Sequence, residues 1–246
     1  MALIFGCRRV IVSALMNIPS RGFKAIDDSY TIENYSHVVF PPGTDHKLPS
    51  VPKIPIFTDG EIPKKTGRRL IEMRGPEMVQ TELIHKQYGV VAIDGGEMKW
   101  DHFEAIRKHL NQVITEVGED NMFAVWRASY PWLPRTPRSK GKKRGGGKAK
   151  IAYFVSPIRH GRVILELGGY ISETLAYRAL IKIVTMTPFK SRVVSYEGLL
   201  KEKEEEQRAE KENMNKFTFD YVMKWNMQDV ARHVNPYDYV WGGKHK

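Results

Sequence analysis

Between two runs rich in β-branched and aromatic residues lies a segment that no core can accept. Residues 135–150, RTPRSKGKKRGGGKAK, hold eight basic side chains, four glycines, a proline and no acid. The cations are Arg135, Arg138, Lys140, Lys142, Lys143, Arg144, Lys148 and Lys150. Nothing apolar in the segment is larger than proline, so it has no face to bury, and its charges repel one another. The flanking runs FAVWRAS (123–129) and IAYFVSP (151–157) have the composition of strands. The chain must therefore fold as a sheet-containing domain from which a long charged loop projects. Loops of this length inside a compact domain are uncommon and usually functional. A polyanion would order it. Gly141, Gly145, Gly146 and Gly147 let backbone N–H groups approach phosphate oxygens while Lys and Arg neutralise them. A solvated linker or a localisation signal is the rival reading of a basic run. Strands anchoring both ends favour a loop that contacts nucleic acid.

The charge balance of the whole chain agrees with that loop. Over 246 residues, Lys and Arg number 39 against 28 acids, a formal charge of +11. Such a balance favours nucleic acid or another anionic surface as partner. The length suits one domain with extensions or two small domains, and a hydrophobic content of 41% indicates substantial parts outside a core. The single Cys7 excludes an internal disulfide framework and a cysteine-rich zinc site. The eight histidines are scattered and read as ordinary surface or edge residues, and no apolar run is long enough for a transmembrane helix.

In chain order, residues 1–24 carry Arg8, Arg9, Arg21 and Lys24, and no acid precedes Asp27. Short apolar patches alternate there with Arg and Ser, the composition of a mitochondrial transit peptide. A secretory signal is the rival, but Ser13 interrupts its apolar region and basic residues follow it. Residues 25–70 are punctuated by Pro41, Pro42, Pro49, Pro52, Pro55 and Pro63, which deny helices and central strands. The expectation is an extended arm with no core of its own, lying on a partner's surface. Arg68, Arg69 and Arg74 make a second basic cluster at its end.

The folded domain is expected over residues 71–197. GVVAIDG (89–95) reads as a strand and turn, and 100–117 as a helix with Trp100, Phe103, Ile106, Leu110, Val113 and Val117 on one face. Gly118 ends it. The runs at 151–156 and 162–167, linked by PIRHG, read as a hairpin; 171–186 as a second amphipathic helix stopped by Pro188; and 192–196 as a last strand. The order β-α-β-β-β-α-β indicates an α+β two-layer sandwich, two helices covering one face of a mostly antiparallel sheet. Residues 198–246 are expected as an extension: a charged helix at 201–212, renewed apolar spacing at 217–234, and an aromatic, basic docking tail.

Catalytic and cofactor motifs fail on inspection. For GKKRGGGKAK to be a P-loop, its first glycine would fall on Lys142, and Ala149 stands where Ser or Thr must reach magnesium. There is no G-x-S-x-G elbow and no H-E-x-x-H helix, and acids such as Asp94 and Glu166 read as turn and strand-surface residues. Neither an enzyme nor a cofactor or metal site is expected.

Several stretches, in order and spacing, resemble one family: FEAIRKHL (103–110), FAVWR (123–127), the loop ending KRGGGKAK, IAYFVSPIRHGRVILELGG (151–169) and MTPFKSRVV (186–194). They are similar to the large-subunit ribosomal protein called L-sixteen in bacteria, in its mitochondrial form. The resemblance implies a structural protein bound to large-subunit rRNA close to where aminoacyl-tRNA enters, transiently meeting tRNA and touching neighbouring mitochondrial ribosomal proteins in the matrix. Its glycine-rich loop would reach toward the peptidyl transferase centre. Members commonly carry R-M-G-x-G-K-G there; Lys143, Arg144 and Ala149 depart from that pattern, and Lys143 lacks the planar fork of arginine. Beyond the loop, Arg127, Arg159, Arg162, Lys190 and Arg192 complete the expected RNA-binding set with Arg68, Arg69 and Arg74. The alternative is a free mitochondrial RNA-processing or ribosome-assembly factor using the same surface.

Overall fold

The structure is a computed structural model that describes residues 35, 38–43, 46–57, 70–136 and 150–242. The expected transit peptide, the basic cluster at 64–69 and residues 137–149 of the basic loop lie outside the described residues. The domain is α+β, as the pattern indicates, but its strands form two antiparallel sheets rather than one. The first has the order β3-β6-β1-β7, with β1 Tyr88–Ala92, β3 Met122–Trp126, β6 Val163–Gly169 and β7 Ser191–Ser195. The second, β2-β5-β4, is built from β2 Gly96–Lys99, β4 Leu133–Arg135 and β5 Tyr153–Ile158. The expected hairpin is therefore a correction: β5 and β6, though joined by PIRHG, pair in different sheets. Sequence proximity suggested the pairing, but β5 finds β2 and β4 while β6 sits between β1 and β3.

Two helices, α1 Trp100–Val117 and α2 Glu173–Met186, pack together on one face of the four-stranded sheet. From α1 the residues Phe103, Ile106, Leu110, Val113 and Ile114 are buried; from α2, Ala176, Ala179, Leu180 and Ile183. They meet Val90, Ala92, Ala124, Leu165 and Leu167 from the sheet in the main core. Gly118 closes α1 with φ +111, a backbone region that suits glycine, while its N–H donates to the Ile114 carbonyl. The opposite face of the sheet is covered too. Val91, Val163 and Val194 form a second cluster with Leu83, against which Tyr196 and Leu199 pack. A sheet buried on both faces explains why β6 is buried along its whole length. The β1–β6 register slips between Val90 and Val91, so Val90 faces Leu165 while Val91 faces Val163. Ile164 is the extra residue of this bulge and joins Leu165 in the main core.

Within the proline-punctuated arm, residues 46–57 are described, and part of this stretch packs on the domain. Leu48 and Val51 are 2% and 4% exposed within the main core. The Leu48 N–H donates to Asn111 Oδ1 (2.9 Å) and Asn111 Nδ2 donates back to the Leu48 carbonyl (3.1 Å). Trp100 Nε1 donates to the Val51 carbonyl (2.9 Å), Trp126 Nε1 to that of Pro49 (3.2 Å), and the Ala124 N–H to that of His46 (3.1 Å). Prolines leave carbonyls without a ladder to join, and the two indole N–H groups supply donors.

Beyond β7 the chain runs directly into α3 Tyr196–Glu212, capped by Ser195, whose Oγ accepts from the Gly198 N–H (3.2 Å). This charged helix begins earlier than its composition suggests, because its first turns carry Tyr196 and Leu199 onto the second cluster. Glu202 pairs with Arg192 and Lys203 with Glu82. The apolar spacing at 217–234 does not make one helix. It divides into α4 Phe219–Lys224 and a 3-10 turn Met227–Arg232, separated by Asn226 at φ +43. After α5 Pro236–Trp241, the Trp241 ring lies where a Cβ on Gly75 would stand, at a backbone with φ +91. The tail thus returns to the start of the domain.

Candidate nucleic-acid interface

The basic loop leaves and re-enters the fold at one place. β4 and β5 pair antiparallel with Arg135 opposite Tyr153, and the Ala152 N–H donates to the Arg135 carbonyl (3.0 Å). Leu133 and Val155, buried on this sheet, supply the apolar anchor, so the loop's ends are fixed side by side. Lys150, the first described residue after the loop, is exposed. Arg138, Lys140, Lys142, Lys143, Arg144, Gly145, Gly146, Gly147 and Lys148 lie outside the described residues, as do Arg68 and Arg69.

The remaining cations of the expected set divide by burial. Arg135 is a structural residue: its side chain is 7% exposed, its Nε and Nη2 donate to Glu97 Oε1 (3.1 and 2.8 Å), and Nη2 also reaches Glu72 Oε2 at 3.2 Å. Arg162 donates through Nη1 to Glu77 Oε2 (3.1 Å) and through Nη2 to Gln80 Oε1 (3.0 Å). Arg127 Nε lies 2.9 Å from Glu166 Oε1. Glu166 itself is 1% exposed and not the strand-surface acid its spacing suggests. Its two oxygens accept the N–H groups of Ile84 (3.1 Å) and His85 (2.8 Å), holding the segment that covers the second face of the sheet. A carboxylate buried this deeply persists because a guanidinium and two amides compensate it. These three arginines are committed within the protein.

Four others sit near the surface. Arg74 is exposed and Lys190 is 81% exposed, 3.9 Å from Asp94. Arg159 is half-buried and donates to the Ile71 carbonyl (3.3 Å). Arg192 makes a two-pronged pair with Glu202 at 2.5 Å on each prong, with both side chains more than 40% exposed. A pair so exposed contributes little and can be traded for a phosphate.

Sequence reasoning missed the groups around the loop's base. Lys99 Nζ sits 4.7 Å from the ring centroid of Tyr153, and Lys53 Nζ sits 5.3 Å from that of Trp100. Aromatic faces carrying cations are what a nucleic-acid surface uses to stack bases. The signal lay in β2, hidden behind a glycine pair, and in the arm, where Lys53 is a lone cation among prolines. The Lys99 N–H donates to His102 Nδ1 (3.0 Å), and burial, then Lys99, lower the pKa of His102. Among the described residues no group of three His, Cys, Asp or Glu could hold a metal ion, and no helix is long and apolar enough to cross a membrane.

Comparison with known proteins adds to this geometry. Residues 62–194 match the family described as ribosomal protein L16p/L10e. The chain is 29% identical over 140 residues to the large ribosomal subunit protein uL16 of Bifidobacterium adolescentis, covering 56% of this chain and 96% of that one. To uL16 of Cutibacterium acnes it is 31% identical over 118 residues, 48% of this chain and 81% of the relative. To that of Agathobacter rectalis it is 30% identical over 123 residues, 50% and 81% respectively.

Proposed function

Because the chain belongs to the ribosomal protein L16p/L10e family, a structural family and not an enzyme family, we propose that it is a constituent of the large ribosomal subunit that binds rRNA, and that it serves the mitochondrial ribosome. The observation that carries the reading is the family match over residues 62–194, which includes the whole basic segment at 135–150. The domain supplies a platform, and the loop, together with Lys150, Arg74 and Lys190 on the domain surface, supplies cations for phosphate. Arg127 and Arg162 hold that platform together rather than touching RNA. In this reading the loop approaches aminoacyl-tRNA. The mitochondrial assignment is supported by the acid-free, arginine-bearing composition of residues 1–24. The parts outside the matched segment, including α3 to α5, are then surfaces for neighbouring ribosomal proteins.

Sedimentation of lysed mitochondria on a salt-containing gradient tests the proposal. The protein should co-migrate with the large subunit in every growth state and lack its first residues. Its presence in slowly sedimenting fractions alone would favour the free-factor alternative, and cytosolic residence of the intact chain would overturn the mitochondrial assignment.

A further inference from the structure

At the base of the loop lies a cleft of about 600 Å³ whose lining includes Lys99, His102, Arg135, Tyr153 and Phe189. A second hollow of about 270 Å³, lined by Lys53, Trp100, Ile151 and Phe154 among others, shares Lys99 and Tyr153 with it. The larger volume falls within the ~300–1,000 Å³ range of clefts that take small ligands. Its walls are aromatic and its polar groups are mostly donors. Tyr153 is 38% exposed, so ring surface is open to a ligand. Arg135, though paired with Glu72 and Glu97 through Nε and Nη2, leaves Nη1 buried without a hydrogen-bond partner. A buried N–H without an acceptor is costly, and a ligand oxygen or ring nitrogen would relieve it. His102 accepts from Lys99 through Nδ1, which places the proton of its neutral ring on Nε2, another donor. Glu97 is engaged by Arg135, while Asp101 stands on the flank of the smaller hollow.

This combination suits a planar, acceptor-bearing heterocycle on a charged strand better than a protein side chain. A protein partner would call for a wider apolar face with fewer cations. We propose that the cleft receives one unpaired base of the bound RNA, stacked on Tyr153 and facing the donors of Arg135 and His102, while Lys99 and Lys53 meet the adjoining phosphates. The inference rests on the reading of the chain as an RNA-binding ribosomal protein and adds a site for single-stranded RNA at the root of the loop. Base stacking on aromatic side chains is tolerant of sequence and is excluded from a continuous duplex.

The test uses the full chain and a short RNA carrying one 2-aminopurine, free or annealed to its complement, at salt high enough to mute the phosphate contribution. The single strand should bind and its fluorescence should be quenched, with the duplex weaker. Tyr153→Leu should weaken single-strand binding about tenfold, the scale of one lost base–aromatic stack, and abolish the quench, whereas Tyr153→Phe should retain both. Thermal melts of each variant control for folding, and Lys53→Ala, outside the sheets, should weaken single-strand binding at low salt, but not at the high salt of the stacking assay, without changing the melt. Equal affinity for duplex and single strand, with a quench unchanged in Tyr153→Leu, would overturn the cleft while leaving rRNA binding intact. If Tyr153→Leu loosened the protein from the subunit but spared the quench, the cleft would be a protein contact and the inference wrong. Absence of any RNA binding by the wild-type chain would remove both this inference and the reading beneath it.

Discussion

Whether a given arginine is available to RNA depends on the carboxylates around it. Arg135 belongs to the most basic stretch of the chain, yet Glu72 and Glu97 hold its guanidinium against the end of β4. Removing one partner of a buried ionic group leaves the others uncompensated, which costs about 3–5 kcal/mol where burial is complete. Arg135→Ala should therefore lose about 3 kcal/mol in urea unfolding, whereas Lys150→Ala, exposed at the other side of the loop, should change stability by no more than about 0.5 kcal/mol. Equal effects would mean that the ion pairs do not stabilise the fold. A pH effect also belongs at this scale. Burial, and then Lys182 against the opposing Ala179 carbonyl and Glu116, sets the pKa of His109 below its ordinary 6.5. His102 is lowered in the same direction. The unfolded chain therefore takes up these protons first as pH falls, so stability should be full above 6.5 and decline on acidification below it. The melting temperature of His109→Gln should fall less than that of the wild type between neutral and mildly acidic pH; parallel curves would refute the linkage.

Among the elements, the loop and the arm differ in what a substitution should cost the fold. The loop is polar throughout, so replacing Lys142, Lys143, Arg144 and Lys148 together by Ala should leave the melt near wild type while RNA affinity and mitochondrial translation drop. Leu110→Ala, on the buried face of α1, should instead cost about 2–5 kcal/mol and act through unfolding. A loop variant that supports normal elongation would refute the role of the loop. The prolines deny the arm helices and central strands, yet Leu48 enters the core between hydrogen bonds to Asn111. Leu48→Ala should thus destabilise by about 2–4 kcal/mol in the same urea assay, as a core residue does and a surface linker residue does not.

For the whole molecule, the charge of +11 predicts RNA binding that weakens steeply with salt. If the loop and its neighbours neutralise four to six phosphates, the log–log slope should be roughly −3 to −5; a slope near zero would exclude an electrostatic contact. Charge of this kind is a sum over residues, which is why the sequence by itself determined it. The same holds for whatever repeats locally. The period of Phe103, Ile106, Leu110 and Val113 marked α1, β-branched runs marked β1, β5 and β6, and Gly118 and Pro188 marked helix ends, because helix and strand place side chains at fixed spacing whatever they later meet. Local pattern also located the basic loop between strands. Only the tertiary structure decided the pairings. β5 leaves its neighbour in sequence for β2 and β4, and those short strands, GEMK and LPR, carry too little periodicity to be seen alone. Likewise Arg135 meets Glu72 across 63 positions, and the arm finds its acceptors and donors on α1 and β3. Ion pairing and sheet registry depend on which groups the folded chain brings within a few ångströms, and no local spacing encodes that distance.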